Sequence, residues 1–332
     1  MHYLKNCILC FLLAAACSCG GGSNGDSPTD PTTPTDPTKD RPTLNGMMTF
    51  HSYSSYDAND SKMYIYDFKT GELTQISKES WGIKNPMNGS FSPDGTKIVF
   101  MGIGSTGSWD IFMYDVTTGK TPVNLTLSGS YRDEDPKYSF DGKNIAFKRD
   151  GKLAEYNIAS GNITVLTDDS EERGMPYFST DGKTLLFSGG SEKNSYIGLY
   201  NFSTGKCNIL YNRQDVTEYY PITRDAKTFY YTAHYSETSD FDQLYLGYFS
   251  GLSATRLPFC TSDADYSDAA AVTGNWLILS STRSGGKGQY DLYIANAENG
   301  AIYSMALYNS GINSSLNELG ACYNSNNPTI AK

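Results

Sequence analysis

The sequence predicts an all-β protein: a six-bladed β-propeller of four-stranded antiparallel blades, closed by pairing the C-terminal strand with the N-terminal blade. Three observations carry this prediction. A strand, tight turn and strand, "SFSPDGTKIVF" at Ser90–Phe100, recurs as "YSFDGKNIAF" (Tyr138–Phe147), "YFSTDGKTLLF" (Tyr177–Phe187), "PITRDAKTFYY" (Pro221–Tyr231) and, in degenerate form, "AAVTGNWLIL" (Ala270–Leu279). Its turn positions Asp94, Asp141, Asp181, Asp225 and Gly274 are spaced by roughly 40 to 50 residues, the period of a four-stranded blade. Each copy is followed by a second shared string, and the two ends of the chain hold complementary fragments of one more unit. Composition agrees with a strand-built core: of 332 residues 39% are hydrophobic and 13% aromatic, and 26 Tyr with 32 Gly suit twisted strands joined by turns.

Taken from the N-terminus, residues 1–16 read as a lipoprotein signal peptide. Lys5 precedes an apolar run from Cys7 to Leu13 that is shorter than the ~20 residues of a membrane span and ends in small residues. "AAAC" at Ala14–Cys17 resembles the bacterial lipobox, which makes Cys17 the lipidated residue, with Cys19 a weaker competitor; ordinary cleavage to a secreted protein is the alternative. Residues 17–43 then form the anchor and a Pro/Thr/Asp-rich linker, "GGGSNGDSPTDPTTPTDPTKDR", whose composition cannot bury a core and whose prolines favour an extended spacer of about 3.1 Å per residue.

The propeller is expected over 44–332. "MMTFHSY", "KMYIYDFKTGE" and "LTQIS" supply the second to fourth strands of a first blade. Five continuous units follow, each with the repeated turn, then "WDIFMYDVTTGK", "LAEYNIASGN", "IGLYNFSTGK", "DQLYLGYFSG" or "YDLYIANAENG" as a half-buried strand entering a hairpin, then a short outer strand. "ELGACYNSNN" at Glu318–Asn327 reads as the missing innermost strand of the first blade, so that the seam leaves no exposed sheet edge.

The string F-S-P-D-G-[TK]-x-[IL]-x-F followed by D-I-[FY]-x-Y-[DN] resembles the WD40-like (PD40-type) repeat of the TolB family, whose members are six-bladed periplasmic propellers. The same repeat occurs in peptidase propellers and in pectin-degrading lyases, so the resemblance implies the fold and leaves the activity open. TolB carries an additional N-terminal α/β domain, whereas here the linker runs straight into blade strands.

For chemistry, the loops that join one blade to the next surround one mouth of the channel, and they are rich in acids. Registered on their turns, Glu134, Glu218, Asp268 and Glu318 fall at nearly equivalent places. Two readings stand: a site for Ca or another divalent cation, or for a basic peptide, since hard cations take several oxygen ligands; or solvated acids and acids bonded to backbone amides. No DxDxDG calcium loop is present. The Asp-Gly turns read as structural corners. Trp81, Glu134, Asp135, Glu218, Tyr219, His234, Asp265, Tyr266, Asp268 and Glu318 are the candidate mouth residues, with Trp81 and Tyr266 the aromatics placed in polar loops. Outside the signal peptide only His51 and His234 remain, too few for a lyase-like metal site, and no GxSxG elbow occurs. Cys207, Cys260 and Cys322 follow no CxxC spacing and read as buried small hydrophobes or at most one disulfide.

A net charge of -10, from 26 Lys and Arg against 36 Asp and Glu with the basic residues scattered, excludes nucleic acid as the expected partner. The expectation is a non-enzymatic, monomeric, lipid-anchored module of the outer membrane that binds an envelope protein or peptide. It needs no cofactor and touches the membrane only through its lipid. The periplasmic face is favoured because Ser18–Gly25 is uncharged. Glycan binding, and behind it a carboxylate-dependent lyase or glycosidase, are the alternatives.

Overall fold

The computed structural model describes residues 41–127, 129–191, 194–235, 241–251 and 253–331, so Cys17, the signal peptide and nearly all of the linker lie outside the described residues. From Leu44 onward the chain is one compact unit made of six four-stranded antiparallel sheets. Blade 2 comprises β4 (Lys84–Phe91), β5 (Lys97–Ile103), β6 (Trp109–Asp115) and β7 (Val123–Asn124). Blade 3 comprises β8 (Asp133–Tyr138), β9 (Asn144–Arg149), β10 (Lys152–Asn157) and β11 (Ile163–Val165). Blade 4 is β12 (Arg173–Phe178), β13 (Thr184–Ser191), β14 (Asn194–Asn201) and β15 (Lys206–Tyr211). Blade 5 is β16 (Val216–Thr223), β17 (Thr228–Tyr235), β18 (Asp242–Tyr248) and β19 (Thr255–Arg256), and blade 6 is β20 (Tyr266–Ala271), β21 (Trp276–Ser281), β22 (Asp291–Asn296) and β23 (Ile302–Ser304).

Blade 1 is composite. β24 (Asn317–Asn324) is its innermost strand and lies beside β1 (Met47–Tyr53), followed by β2 (Lys62–Asp67) and β3 (Leu73–Gln75). The seam pairs Met47 with Asn324 and Tyr53 with Asn317. The tail beyond β24 then crosses to blade 2: Asn324 donates to the carbonyls of Ser92 and Pro93, and the Ala331 N–H to the Val116 carbonyl at 2.8 Å. Because Met47 sits opposite Asn324, the chain enters the ring on the same face as the Asp-Gly corners.

Those corners explain the repeat chemically. Asp94 accepts from the Ser92 hydroxyl (2.6 Å), the Thr96 N–H (3.0 Å) and the Thr96 hydroxyl (2.9 Å), while the Ser92 hydroxyl in turn accepts from the Lys97 N–H (2.9 Å). Ser139 with Asp141 and Ser179 with Asp181 repeat the arrangement. The following residue must take a positive φ, 75° at Gly95 and 71° at Gly142, which Gly adopts without strain. These bonds also hold the Asp94, Asp141 and Asp181 carboxyls below the usual carboxylate range.

The core lies between blades, where alternate residues of neighbouring sheets interdigitate. Phe100, Trp81 and Tyr114 pack with Met47 and Met63 between blades 1 and 2, and Tyr230, Leu244, Tyr266 and Leu279 pack between blades 5 and 6. The final aromatic or large apolar residue of the repeated string, Phe100, Phe147, Phe187, Tyr231 or Leu279, is fully buried in every blade that carries it.

Candidate functional site

The six innermost strands share a feature near their middle. In each, two residues oppose one residue of the second strand, a β-bulge: Asn88–Gly89 opposite Phe100, Asp135–Pro136 opposite Phe147, Met175–Pro176 opposite Phe187, Tyr220–Pro221 opposite Tyr231, Asp268–Ala269 opposite Leu279, and Gly320–Ala321 opposite Phe50. The first residue of every pair has a left-handed backbone, with φ of 55°, 55°, 52°, 51°, 51° and 62° in that order. Asn and Asp tolerate this conformation; for Met175 and Tyr220 it costs about 1–2 kcal/mol, offset by the packing of the opposed aromatic. Proline as the second residue at three of the bulges is compatible with a ladder that is already interrupted there.

These first residues converge on the axis. The Asn88 amide donates to Asp135 across the boundary of blades 2 and 3 at 2.8 Å, and Asp268 accepts from the Gly320 N–H across blades 6 and 1. Asp135 and Asp268 come from blades three apart in a ring of six and therefore face one another. Their charges reach each other and both reach Tyr220, whose hydroxyl is held well above its ordinary pKa chiefly by burial and then by those two carboxylates. Burial pushes Asp268 up to about 6, with Asp135 and Asp242 adding to the rise and Lys137 opposing it. Asp135 is likewise raised, by burial and then by neighbouring Glu134. All of the ring residues but Asn88 are half-buried, and Asn88 is buried. Beneath Asn88, His51 accepts the Asn88 N–H on Nδ1 at 3.4 Å; burial and the Lys137 charge lower it to about 3, so it is neutral.

The acids named from the sequence part company here. Glu134, Glu218, Asp268 and Glu318 do not occupy equivalent places once the strands are aligned on their shared bulge: Asp268 is a bulge residue, Glu134 precedes a bulge residue directly, and Glu218 and Glu318 stand one place further back. Glu218 is 0% exposed and bonded to Arg213 Nε at 2.7 Å. Glu318 is 1% exposed and accepts from the hydroxyls of Ser52 (3.0 Å) and Ser314 (2.6 Å). Glu134 is paired with Arg132 at 2.8 Å and lies 3.7 Å from Lys148. Among the described residues no group of three or more His, Cys, Asp or Glu is placed to hold a metal ion, and the four-carboxylate cation site is not formed.

The loop aromatics are also relocated. Trp81 is 8% exposed and packs on Tyr114 (5.0 Å) and Phe100 (5.9 Å) inside the seam of blades 1 and 2; Tyr266 is 0% exposed and its hydroxyl shares a 2.7 Å hydrogen bond with Thr261. Around Trp81 the flanking Ser80 and Gly82 face water while the aromatic turns inward; Tyr266 is the first residue of β20, with Ser267 beside it also buried. Tyr219 donates to Asp242 Oδ2 at 2.5 Å, His234 Nδ1 lies 3.3 Å from Asp242 Oδ1, and Asp265 accepts the Asp242 N–H at 2.9 Å, a network that ties blade 5 to blade 6 at the mouth. Cys207, Cys260 and Cys322 are free thiols.

Of the ring, the sequence reading singled out Asp135 and Asp268 as mouth residues and missed Asn88, Met175 and Gly320. A partial signal was present: Asn88, Asp135, Met175 and Asp268 each stand six residues before the turn position of their repeat, Asp94, Asp141, Asp181 and Gly274, whereas Tyr220 stands five before Asp225.

A family model described as TolB beta propeller domain matches residues 49–259, more than half of the chain. Among solved structures, TolB from Acinetobacter baumannii superposes with a TM-score of 0.67 at 15% identity, over 86% of this chain and 68% of that one. Oligogalacturonate lyase from Vibrio parahaemolyticus gives 0.51 at 14% identity, over 79% and 73%. Among curated proteins, the uncharacterized peptidase YuxL of Bacillus subtilis strain 168 is 27% identical over 136 residues, 41% of this chain and only 19% of that protein's length. Similarity at these levels speaks for a shared fold that hosts several functions.

Proposed function

Because this chain belongs to the TolB beta propeller family, we propose that it is a lipid-tethered, non-enzymatic binding module of the bacterial envelope that engages a protein or peptide through the axial mouth of its ring. The observation that carries this reading is the bulge ring. Six inner strands repeat one backbone geometry and present five kinds of residue, the one repeated being a carboxylate pair, Asp135 and Asp268, that face one another and are raised by burial. A partly desolvated carboxylate favours a cationic partner, and a basic side chain or amino terminus entering along the axis relieves the mutual repulsion of Asp135 and Asp268, which Lys137 offsets only in part. The loop acids support the fold instead. Anchoring through Cys17 is part of the same proposal.

Calorimetric titration of the full chain with a short Lys-containing peptide, against the same peptide with Glu for Lys, tests the proposal. Binding of the Lys peptide that weakens about tenfold or more in Asp135→Asn/Asp268→Asn is the expected outcome. Equal binding by that variant would move the site away from the axis. Sugar stacking is less well supported, since Trp81 and Tyr266 are inside the core.

A further inference from the structure

Away from the axis, three tyrosines enclose a cation. The Arg213 guanidinium carbon lies 4.7 Å from the ring centre of Tyr245, 5.0 Å from that of Tyr235 and 5.9 Å from that of Tyr231. Its Nε donates to Glu218 at 2.7 Å and its terminal nitrogens to the hydroxyls of Tyr231 (3.1 Å) and Tyr235. Tyr231 is backed by Tyr211 of blade 4, stacked at 5.5 Å with planes 14° apart. Three aromatic faces and one carboxylate are the means by which proteins hold guanidinium and quaternary ammonium groups, since the ring quadrupoles attract a cation most where water is excluded.

The walls and the occupant differ in how they are fixed. Glu218, Tyr231, Tyr235 and Tyr245 stand on β16, β17 and β18, and all but Tyr235 are buried. Arg213 comes from the connection between β15 and β16 on the mouth face, and its side chain is 32% exposed where Glu218 is 0%. The rigid part of the arrangement is therefore a cage, and the cation in it arrives on a loop. We propose that this cage is a binding site for a guanidinium or quaternary ammonium group, distinct from the axial ring and filled in this structure by the chain's own Arg213. A partner's arginine gains the site by exchanging with Arg213, which then swings to solvent. No other charged group has to move, because Glu218 keeps a cation throughout.

Methylguanidinium is the probe, with urea as the neutral analogue of the same shape, both at millimolar concentrations far below denaturing ones. In Arg213→Ala the midpoint of thermal unfolding falls, and methylguanidinium at ~100 times its Kd restores it by several degrees while urea does not. In the unmutated chain, the Arg213 Nε–H resonance shifts saturably as methylguanidinium is added, whereas that of Arg149, clamped by both oxygens of Asp133 at 2.8 Å, stays in place. A folded Arg213→Ala chain that gains no more from methylguanidinium than the unmutated protein overturns the cage as a receptor. An unmoved Arg213 resonance overturns the exchange, and it does so without any variant that has to fold.

Discussion

The corner and the bulged middle of the six inner strands obey opposite rules. At the corner end, residue identity and backbone repeat together: Ser, Asp and Gly make the same hydrogen bonds in blades 2, 3 and 4. At the bulge the backbone repeats in all six blades while the residues are Asn, Asp, Met, Tyr, Asp and Gly. Repetition of identity marks a geometric requirement, because any blade needs the same turn. Repetition of backbone with changing side chains marks a place where the scaffold holds a set of groups in register and leaves their chemistry to vary. That difference locates function at the bulge ring and structure at the corners, and it sorts the mouth acids by whether they already have a partner.

The comparison can be broken most forcefully at Glu218. Glu218→Ala leaves the Arg213 cation among tyrosines without its carboxylate and should lower unfolding free energy by about 3 kcal/mol in denaturant titration, an effect on folding that a loop acid waiting for a ligand would not show. At the corners, Asp94→Ala removes an acceptor of three hydrogen bonds and should cost about 1 kcal/mol while leaving Lys-peptide affinity unchanged. A change in affinity there would blur the division between corner and bulge.

At the ring the expected stability effect has the opposite sign. The folded-state pKa of Asp268, about 6, lies above its ordinary value, so the folded state binds the extra proton and stability declines as pH rises through about 6. Asp268→Asn should therefore raise the thermal midpoint near pH 8 and change it little near pH 4, by an amount on the order of 1 to 2 kcal/mol at most because Asp268 is only half-buried. The same titration governs binding: Lys-peptide affinity should fall as pH drops through about 6 and Asp268 is neutralised. His51, depressed to about 3 by burial, works against this in stability alone, because the unfolded chain protonates first and stability is lost as pH falls below about 6.5. Monitoring His51→Gln from pH 7 to about 5 should show a shallower decline than the unmutated chain; an identical decline would remove the buried imidazole from the account.

The ring closure, the six blades and the corners were legible in the sequence because each rests on local rules: alternation, Asp-Gly turns and a period that repeats. The composite first blade could be read because "MMTFHSY" lacked an innermost strand and "ELGACYNSNN" lacked partners. The site was harder. Aligning Glu134, Glu218, Asp268 and Glu318 on their turns missed that they stand at different steps from the bulge, and in a strand a shift of one place sends a side chain to the other face. The polar loop around Trp81 concealed that a single aromatic can point inward while its neighbours face water, and polar residues around Tyr266 concealed the start of a buried strand. Partner choice, as between Glu218 and Arg213 or Asp135 and Asn88, joins residues on different strands or blades, and nothing in local spacing announces it.

Carboxyl carbon-13 NMR of the full chain during titration with the Lys-containing peptide addresses the axial ring most directly. The account predicts that the Asp135 and Asp268 carboxyl resonances shift together and saturably, and that the apparent pKa of Asp268 falls from about 6 as the cation arrives, while Glu218 and Glu318 stay where they are. Shifts at Glu218 and Glu318 with Asp135 and Asp268 silent would contradict it.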